Sequence, residues 1–245
     1  MESNNLKAKD VYKDIYIEKV KVDNNRNSIL DFQEKLFSNR AAIFGATVIL
    51  VIVFTAIFAP IIAPYQYDAV DLPKMLKPPS LQNLFGTDEF GRDIFSRIVY
   101  GTRVSLKVGF IAVGISMIIG IILGALAGYY GGIVDYIIGG ITDIAWSFPV
   151  SLLAIALVAA LGPSLSNLIL AVALVSWSGY TRLIRGQFLS LREEEFIEAA
   201  KVLGMSDMRI IFKHMLPNAI APIIVLTTME VPKAIIVESS LSFLG

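Results

Sequence analysis

Residues 193–217 read EEEFIEAAKVLGMSDMRIIFKHMLP, a charged, amphipathic stretch set between apolar runs. Taken as a helix, Phe196, Ala199, Ala200 and Leu203 fall at i, i+3, i+4 and i+7 and form one apolar stripe. Glu193, Glu194, Glu195, Glu198 and Lys201 lie mostly off it. Gly204 follows the last stripe residue, where a helix can end on a left-handed cap. Ser206 or Asp207 can cap a second helix, on which Met208, Ile211, Phe212 and Met215 repeat the spacing. Pro217 closes the unit, because proline tolerates a helix start but not a helix middle. The stretch is thus predicted as a short helix, a tight turn and another short helix. Pattern alone leaves two readings open: a solvated amphipathic loop folded back on a membrane surface, or an element that docks a partner.

Around this stretch the chain is 55% hydrophobic and only 17% charged, and long apolar runs put the excess into membrane spans rather than a soluble core. There is no cysteine for a disulfide or a thiolate, and a single histidine, His214, gives no histidine metal cluster and no metal site. The formal net charge of zero gives no hint of a nucleic-acid partner. No nucleophile–base cluster points to a catalytic residue, so a membrane-embedded enzyme has nothing to stand on. There is no GxxxxGK[ST] either, so the chain is not expected to bind ATP itself.

Residues 1–40 carry eight Lys/Arg and seven Asp/Glu and read as a polar tail, without a secretory signal peptide. Residues 41–63 form the first span, with Arg40 as an anchor at its near end. Residues 64–103 form a polar, turn-rich loop containing LFGTDEFGRDIFSRIVYGTRVSL. Its Gly86-Thr87-Asp88 and Gly91-Arg92-Asp93 read as a turn with paired charges; the carboxylates lack the spacing of a metal or phosphate site. In the second span, 104–128, Gly120, Gly124 and Gly128 make two overlapping small-xxx-small steps that let another helix approach closely.

The third span, 133–161, is broken at Ser147-Phe148-Pro149 and carries Asp143 about ten residues in, where an ionisable group must face protein or water. A shorter run over 167–180 starts near Ser164 and ends on the interface aromatics Trp177 and Tyr180. Beyond the amphipathic stretch, residues 219–229 are apolar. Glu230 and Lys233 then sit three apart, able to pair, and Pro232 predicts a kink or break. Glu238 precedes the closing Leu241-Ser242-Phe243-Leu244-Gly245.

Glu198-Ala199-Ala200, then Gly204, then Leu216-Pro217, resembles the EAA coupling loop of ABC importer permeases, here within about 182–217. His214 stands where the usual motif has isoleucine, a variant resembling the peptide-transporter branch. The GTDxxGRDxxSR string, completed by Ser96-Arg97, is similar to the segment before the second span of dipeptide and oligopeptide permeases. The closing VPKAIIVESSLSFLG resembles the oligopeptide branch. Three motifs in the right order across residues 40–245 identify a C-type permease subunit of the dipeptide/oligopeptide/nickel type.

The resemblance implies an all-α polytopic fold, the type I ABC importer transmembrane domain, with a permease core over 104–245. It implies no cofactor, and as partners two ABC ATPase subunits, a second permease subunit, an extracytoplasmic substrate-binding protein and the lipid membrane. Glu198, Ala199, Ala200, Gly204, Leu216 and Pro217 would dock the ATPase, and Ala200 would enter its cleft. Asp143 and Glu238 are candidates for the pathway or gate. The family often has arginine three residues before Asp143; Gly140 here removes that local partner. Six spans are the family pattern and five are visible, so a sixth is expected beyond Gly245.

Lys/Arg number eight in the tail, five over 65–103, none in the next two turns and six over 182–217. Four spans separate the tail from 182–217, so both rich segments fall in the cytoplasm of a cell-membrane protein whose N-terminus is cytoplasmic. The five basic residues placed outside are balanced by Asp68, Asp71, Asp88, Glu89 and Asp93. The rival of another class, a secondary transporter or channel, calls for ionisable groups at the midplane of several spans and for inverted repeats. Asp143 stands nearly alone at depth and no repeat is visible. Nickel chelates or glutathione-like solutes are the alternative cargo for this permease type.

Overall fold

A computed structural model describes residues 37–244, so most of the tail read at 1–40 lies outside the described residues. The described residues are helical apart from loops and one isolated bridge between Thr87 and Asp93. The chain divides into two units, Met1–Thr55 and Ala56–Gly245. In the first lies most of α1 (Arg40–Ile57), whose start is capped by Asn39: its Oδ1 accepts the N–H groups of Ala41 at 3.0 Å and Ala42 at 3.3 Å. Phe44, Ile49, Leu50 and Val51 are exposed along it, as suits a helix with lipid for solvent.

The second unit begins with α2 (Ala59–Ile62) and a loop holding a single 3₁₀ turn, Leu72–Lys74. Then follows α3 (Ile94–Tyr130), 37 residues and so about 55 Å long. The second span, expected at 104–128, is therefore the inner part of a helix that starts ten residues earlier. The cause is Asp93, whose carboxylate accepts the Ser96 N–H at 2.8 Å and caps the helix before its apolar run begins. Gly131, at φ 66°, ends it.

Helices α4 (Gly132–Trp146) and α5 (Val150–Leu161) follow each other with a bend of 89°. Pro149 has no N–H to give and forces Phe148 out of helical geometry, so the break falls where the sequence places it. Helix α6 (Leu165–Arg192) is capped by Ser164, which accepts the Asn167 N–H at 3.1 Å. It does not stop at Tyr180: residues 182–192, read as part of a loop, continue the same helix. After α7 (Glu195–Val202) and α8 (Asp207–Arg209) comes a π-helical turn, Ile210–Met215, leading into α9 (Leu216–Leu244).

The prolines at 217 and 232 do not interrupt the helix that contains them. Pro217 does not close the amphipathic unit, because the wider π turn precedes it: the Leu216 N–H reaches back to Ile211 O, a ladder into which a residue without an N–H fits. Pro222 and Pro232 both lie inside α9, which runs on as one helix without a break. Four helical stretches among the described residues, α1, α3, α6 and Asp207–Phe243, are long and apolar enough to cross a membrane, and there are five spans if the bent pair counts as one.

The core of the second unit is the seam between α3 and α6, its most extensive helix contact. Ideal Cβ atoms built on Gly120, Gly124 and Gly128 would lie 2.2 Å from Tyr180 Cβ, 2.7 Å from Thr181 O and 2.5 Å from Phe188 Cβ. Only glycine lets the backbones come this close. Ser116, one turn earlier on the same face, donates to Ala173 O at 2.9 Å and completes the seam. Residue numbers rise together on the two helices, so α3 and α6 run parallel. Helix α9 crosses α3 antiparallel, with Thr227 near Met117, Ile235 near Gly109 and Glu238 near Ser105.

Candidate functional site

The stretch 193–215 hangs from the ends of α6 and α3. Arg192 pairs with Glu193 at 3.4 Å. The Tyr129 hydroxyl at the end of α3 donates to Asp207 Oδ1 at 2.7 Å, and Lys201 Nζ lies 5.8 Å from the Tyr129 ring centroid. Helix α7 ends in a paired turn: the Gly204 N–H donates to Lys201 O at 2.9 Å and the Met205 N–H to Ala200 O at 3.1 Å. These are the two bonds of a Schellman cap, and Gly204 takes the left-handed φ of 74° that the cap requires. The reversal aims α8 and the π turn back along the bundle.

The buried face of α7 is not the stripe expected from spacing. Ile197 and Ala200 are buried, in one core with Ile210, Ile211, Met215, Ile184 and Phe188. Phe196, Ala199 and Leu203 are exposed. Ala200 therefore packs against the chain's own core instead of pointing outward, because the helix is docked by Ile197, one residue off the expected stripe. What faces outward is Glu198 and Ala199, with Val202 at 83% and Leu203 at 75% exposure beside the Gly204 turn. Leu216 is half-buried and Pro217 exposed, both inside α9. His214 is half-buried, and its carbonyl accepts from Asn218 Nδ2 at 2.6 Å.

Asp143 has a partner that its own helix does not supply: Arg182 Nη2 from α6 lies 2.7 Å from its Oδ1, and the same guanidinium stacks 3.9 Å over the Trp146 ring. One step along, Asp135 pairs with Arg185, whose Nη2 donates at 2.7 Å. A search within the third span alone missed both ion pairs. The signal was two acids on one span and two arginines on the next, matched in the antiparallel order that neighbouring spans adopt. Glu230 and Lys233 pair at 2.7 Å on α9. They line a cavity of about 460 Å³ with Trp146, Ser151 and Gly179. Glu238 is buried near the far end of α9, among serine hydroxyls.

In the GTDxxGRDxxSR segment the charges are engaged by the chain itself. Asp88 Oδ1 accepts the N–H groups of Phe90 and Arg92, both at 2.9 Å, and Oδ2 pairs with Arg92 Nε at 2.7 Å and with Arg97. Burial works to raise the Asp88 pKa, but these donors outweigh it and hold the carboxyl down at about 2. Asp93 is lowered likewise: burial opposes, while Asn83 and Ser96 prevail. Gly91, at φ 74°, brings its backbone so near Asp71 that a Cβ there would sit 1.8 Å from the Asp71 carbonyl oxygen. The motif is thus a folded knot at the head of α3.

Comparison with known proteins covers most of the chain. A family model described as the binding-protein-dependent transport system inner membrane component matches residues 120–245. One for the N-terminal TM domain of oligopeptide transport permease C matches residues 30–79. The dipeptide transport system permease protein DppC of Alkalihalophilus pseudofirmus is 50% identical over 212 residues, covering 86% of this chain and 70% of that one. The oligopeptide transport system permease protein OppC of Bacillus subtilis is 40% identical over 208 residues, 85% of this chain and 68% of its own. The glutathione transport system permease protein GsiD of Escherichia coli O157:H7 is 43% identical over 227 residues, 92% of this chain and 75% of its own. With an all-helical, multi-span fold and matches at both ends, the chain belongs to the family of binding-protein-dependent transport system inner membrane components.

Proposed function

We propose that the chain is the C-type permease subunit of an ATP-driven importer of short peptides, in which the stretch 193–215 receives the motion of a partner ATPase. One observation carries this reading: a helix with a buried inner face, Ile197 and Ala200, and an exposed outer face, Glu198, Ala199, Val202 and Leu203, held rigidly by a Schellman cap. An apolar tip of this kind at the end of a bundle calls for a covering partner. ATP is bound and hydrolysed by that partner. A second permease lies beside this one, and a binding protein delivers substrate from outside.

The relatives named for dipeptides and oligopeptides support a peptide cargo. The relative named for glutathione, itself a small peptide-like molecule, fits the same class. With the tail and the 193–215 loop inside, the folded knot at 64–93 faces outside, where the binding protein arrives. The parallel run of α3 and α6 supports this arrangement, since it puts Tyr129 and the loop at one end of the bundle.

Because Val202 and Leu203 are exposed, replacing them tests docking without disturbing the core. Val202→Asp with Leu203→Asp, in the full importer complex purified in detergent, is expected to leave the chain in the membrane and to release the ATPase subunits. Retention of the ATPases at wild-type stoichiometry refutes the docking assignment.

A further inference from the structure

Four acidic residues lie within helices α1, α3, α4, α5, α6 and α9: Asp135, Asp143, Glu230 and Glu238. Three of them face a cation within an ion pair, namely Arg185, Arg182 and Lys233. Glu238 is the exception among these four. It is 7% exposed, and its partners are hydroxyls alone: Ser242 at 3.1 Å, Ser105 and Ser239 at 3.4 Å. A buried carboxylate without a countercharge is costly, and three hydroxyls, two of them at long range, offset only part of that cost.

Glu238 opens into a cavity of about 680 Å³ at the head of α3 and the far end of α9. That volume suits a small ligand. Tyr67 and Tyr100, their ring centroids 5.2 Å apart, line it together with Arg97 and Arg103. Arg97 is committed to Asp88. Arg103 is exposed and makes no ion pair or hydrogen bond among the described residues. The cavity therefore presents a buried acid without a cationic partner, a guanidinium in no ion pair and two aromatic rings.

We propose that this cavity is a binding site for the zwitterionic backbone of a short peptide, with Glu238 accepting the α-ammonium group and Arg103 the terminal carboxylate. Tyr67 and Tyr100 supply apolar and hydrogen-bonding surface for side chains, without selecting among them. The site would take the peptide as it leaves the binding protein. This inference rests on the peptide-import reading above.

The test is a cycle between protein and ligand, run as uptake into proteoliposomes holding the complete importer, with binding protein saturating. Trialanine with free termini is compared with N-acetyl-trialanine and with trialanine amide, in wild type, Glu238→Gln and Arg103→Gln. Selection by the binding protein is the same in every variant and cancels in the ratios. Glu238→Gln is expected to lower kcat/KM for trialanine about tenfold or more and for the N-acetyl peptide less than about twofold. Arg103→Gln is expected to do the same with respect to the amide. Equal losses for free and blocked peptides, or no loss at all, overturn the site while leaving peptide import standing. Absence of uptake of all three peptides by wild type overturns the import reading and the site with it. Should Glu238→Gln fail to assemble, the exposed Arg103 decides the matter by itself: a loss confined to the free carboxylate upholds the site, and an equal loss refutes it.

Discussion

Gly120→Ala adds one methyl group to the α3–α6 seam, and the structure fixes what it meets. The new Cβ would lie 2.2 Å from Tyr180 Cβ, 2.9 Å from Trp177 O and 3.0 Å from Thr181 N. Carbon atoms rest at about 3.5–4.0 Å, so the helices must part locally by roughly 1.3–1.8 Å. None of the three atoms is the free end of a side chain, so no rotamer change relieves the clash. Overpacking of this kind costs about 1–3 kcal/mol. Alanine also returns about 0.5–1 kcal/mol of helix propensity, which confuses any single measurement. Gly114→Ala removes the confusion: it lies on the same helix with nothing within 4 Å of its Cβ, so it gains the propensity without the clash. The difference between the two variants is then the overpacking alone, about 1–3 kcal/mol against Gly120→Ala. Reversible unfolding of the chain in mixed micelles at increasing denaturing-detergent fraction measures it. Equal stability of the two variants, to within about 0.5 kcal/mol, refutes the close approach of α3 and α6.

Gly204→Val meets open space, so its cost is conformational only, about 1–2 kcal/mol for a side chain forced into the left-handed region. It should release the ATPase on purification while Gly204→Asn, which tolerates that region, retains it; equal retention counts against a strained cap. Reversing Asp143→Arg should destabilise the chain and adding Arg182→Asp should restore part of the loss. The coupling in such a cycle is about 0.2–1 kcal/mol, since both side chains are substantially exposed, and zero coupling removes the cross-helix pair. The Asp88 carboxyl is lowered from 3.8 to about 2, so its hold on the 64–93 knot is complete above about pH 4 and is lost as pH falls through 2. Limited proteolysis at the exposed Leu81 should accelerate across that window in wild type; in Asp88→Asn it should already be faster at pH 4 and should accelerate less on acidification, Asp93 alone still titrating there. Because the chain lacks cysteine, Ser80→Cys should label with an impermeant reagent from outside whole cells and Ser206→Cys should not; the reverse pattern inverts the topology.

The spans, the broken third helix and the glycine seam were legible in the sequence, because each rests on composition or spacing within one segment. The turn at Gly204 was legible for the same reason. What escaped depends on contacts between segments. In an eight-residue helix the stripes through Phe196 and through Ile197 share Ala200, and only packing against Phe188 and Ile184 selects the second. The start of α3 was hidden by the reading of a span as an apolar run, although Asp93 and Ser96 form a cap ahead of it. Asp143 looked isolated because its partner was sought within its own helix, whereas Arg182 belongs to the next. The proline at 217 looked like a stop because the π turn that accommodates it has no marker in residue type.

That π turn joins the stretch proposed to dock the ATPase to the last described span without an interruption of the helix. From Leu216 to Glu238 is 22 residues, or about 33 Å along one continuous helix. A rod pushed at one end is a lever. A tilt of about 10° imposed beside the ATPase would swing Glu238 sideways by about 6 Å, more than a hydrogen bond's reach from Ser105 and enough to change what the carboxylate can hold. The stroke that empties the upper cavity and the stroke of the ATPase would then be a single mechanical event, with its gain set by the length of α9.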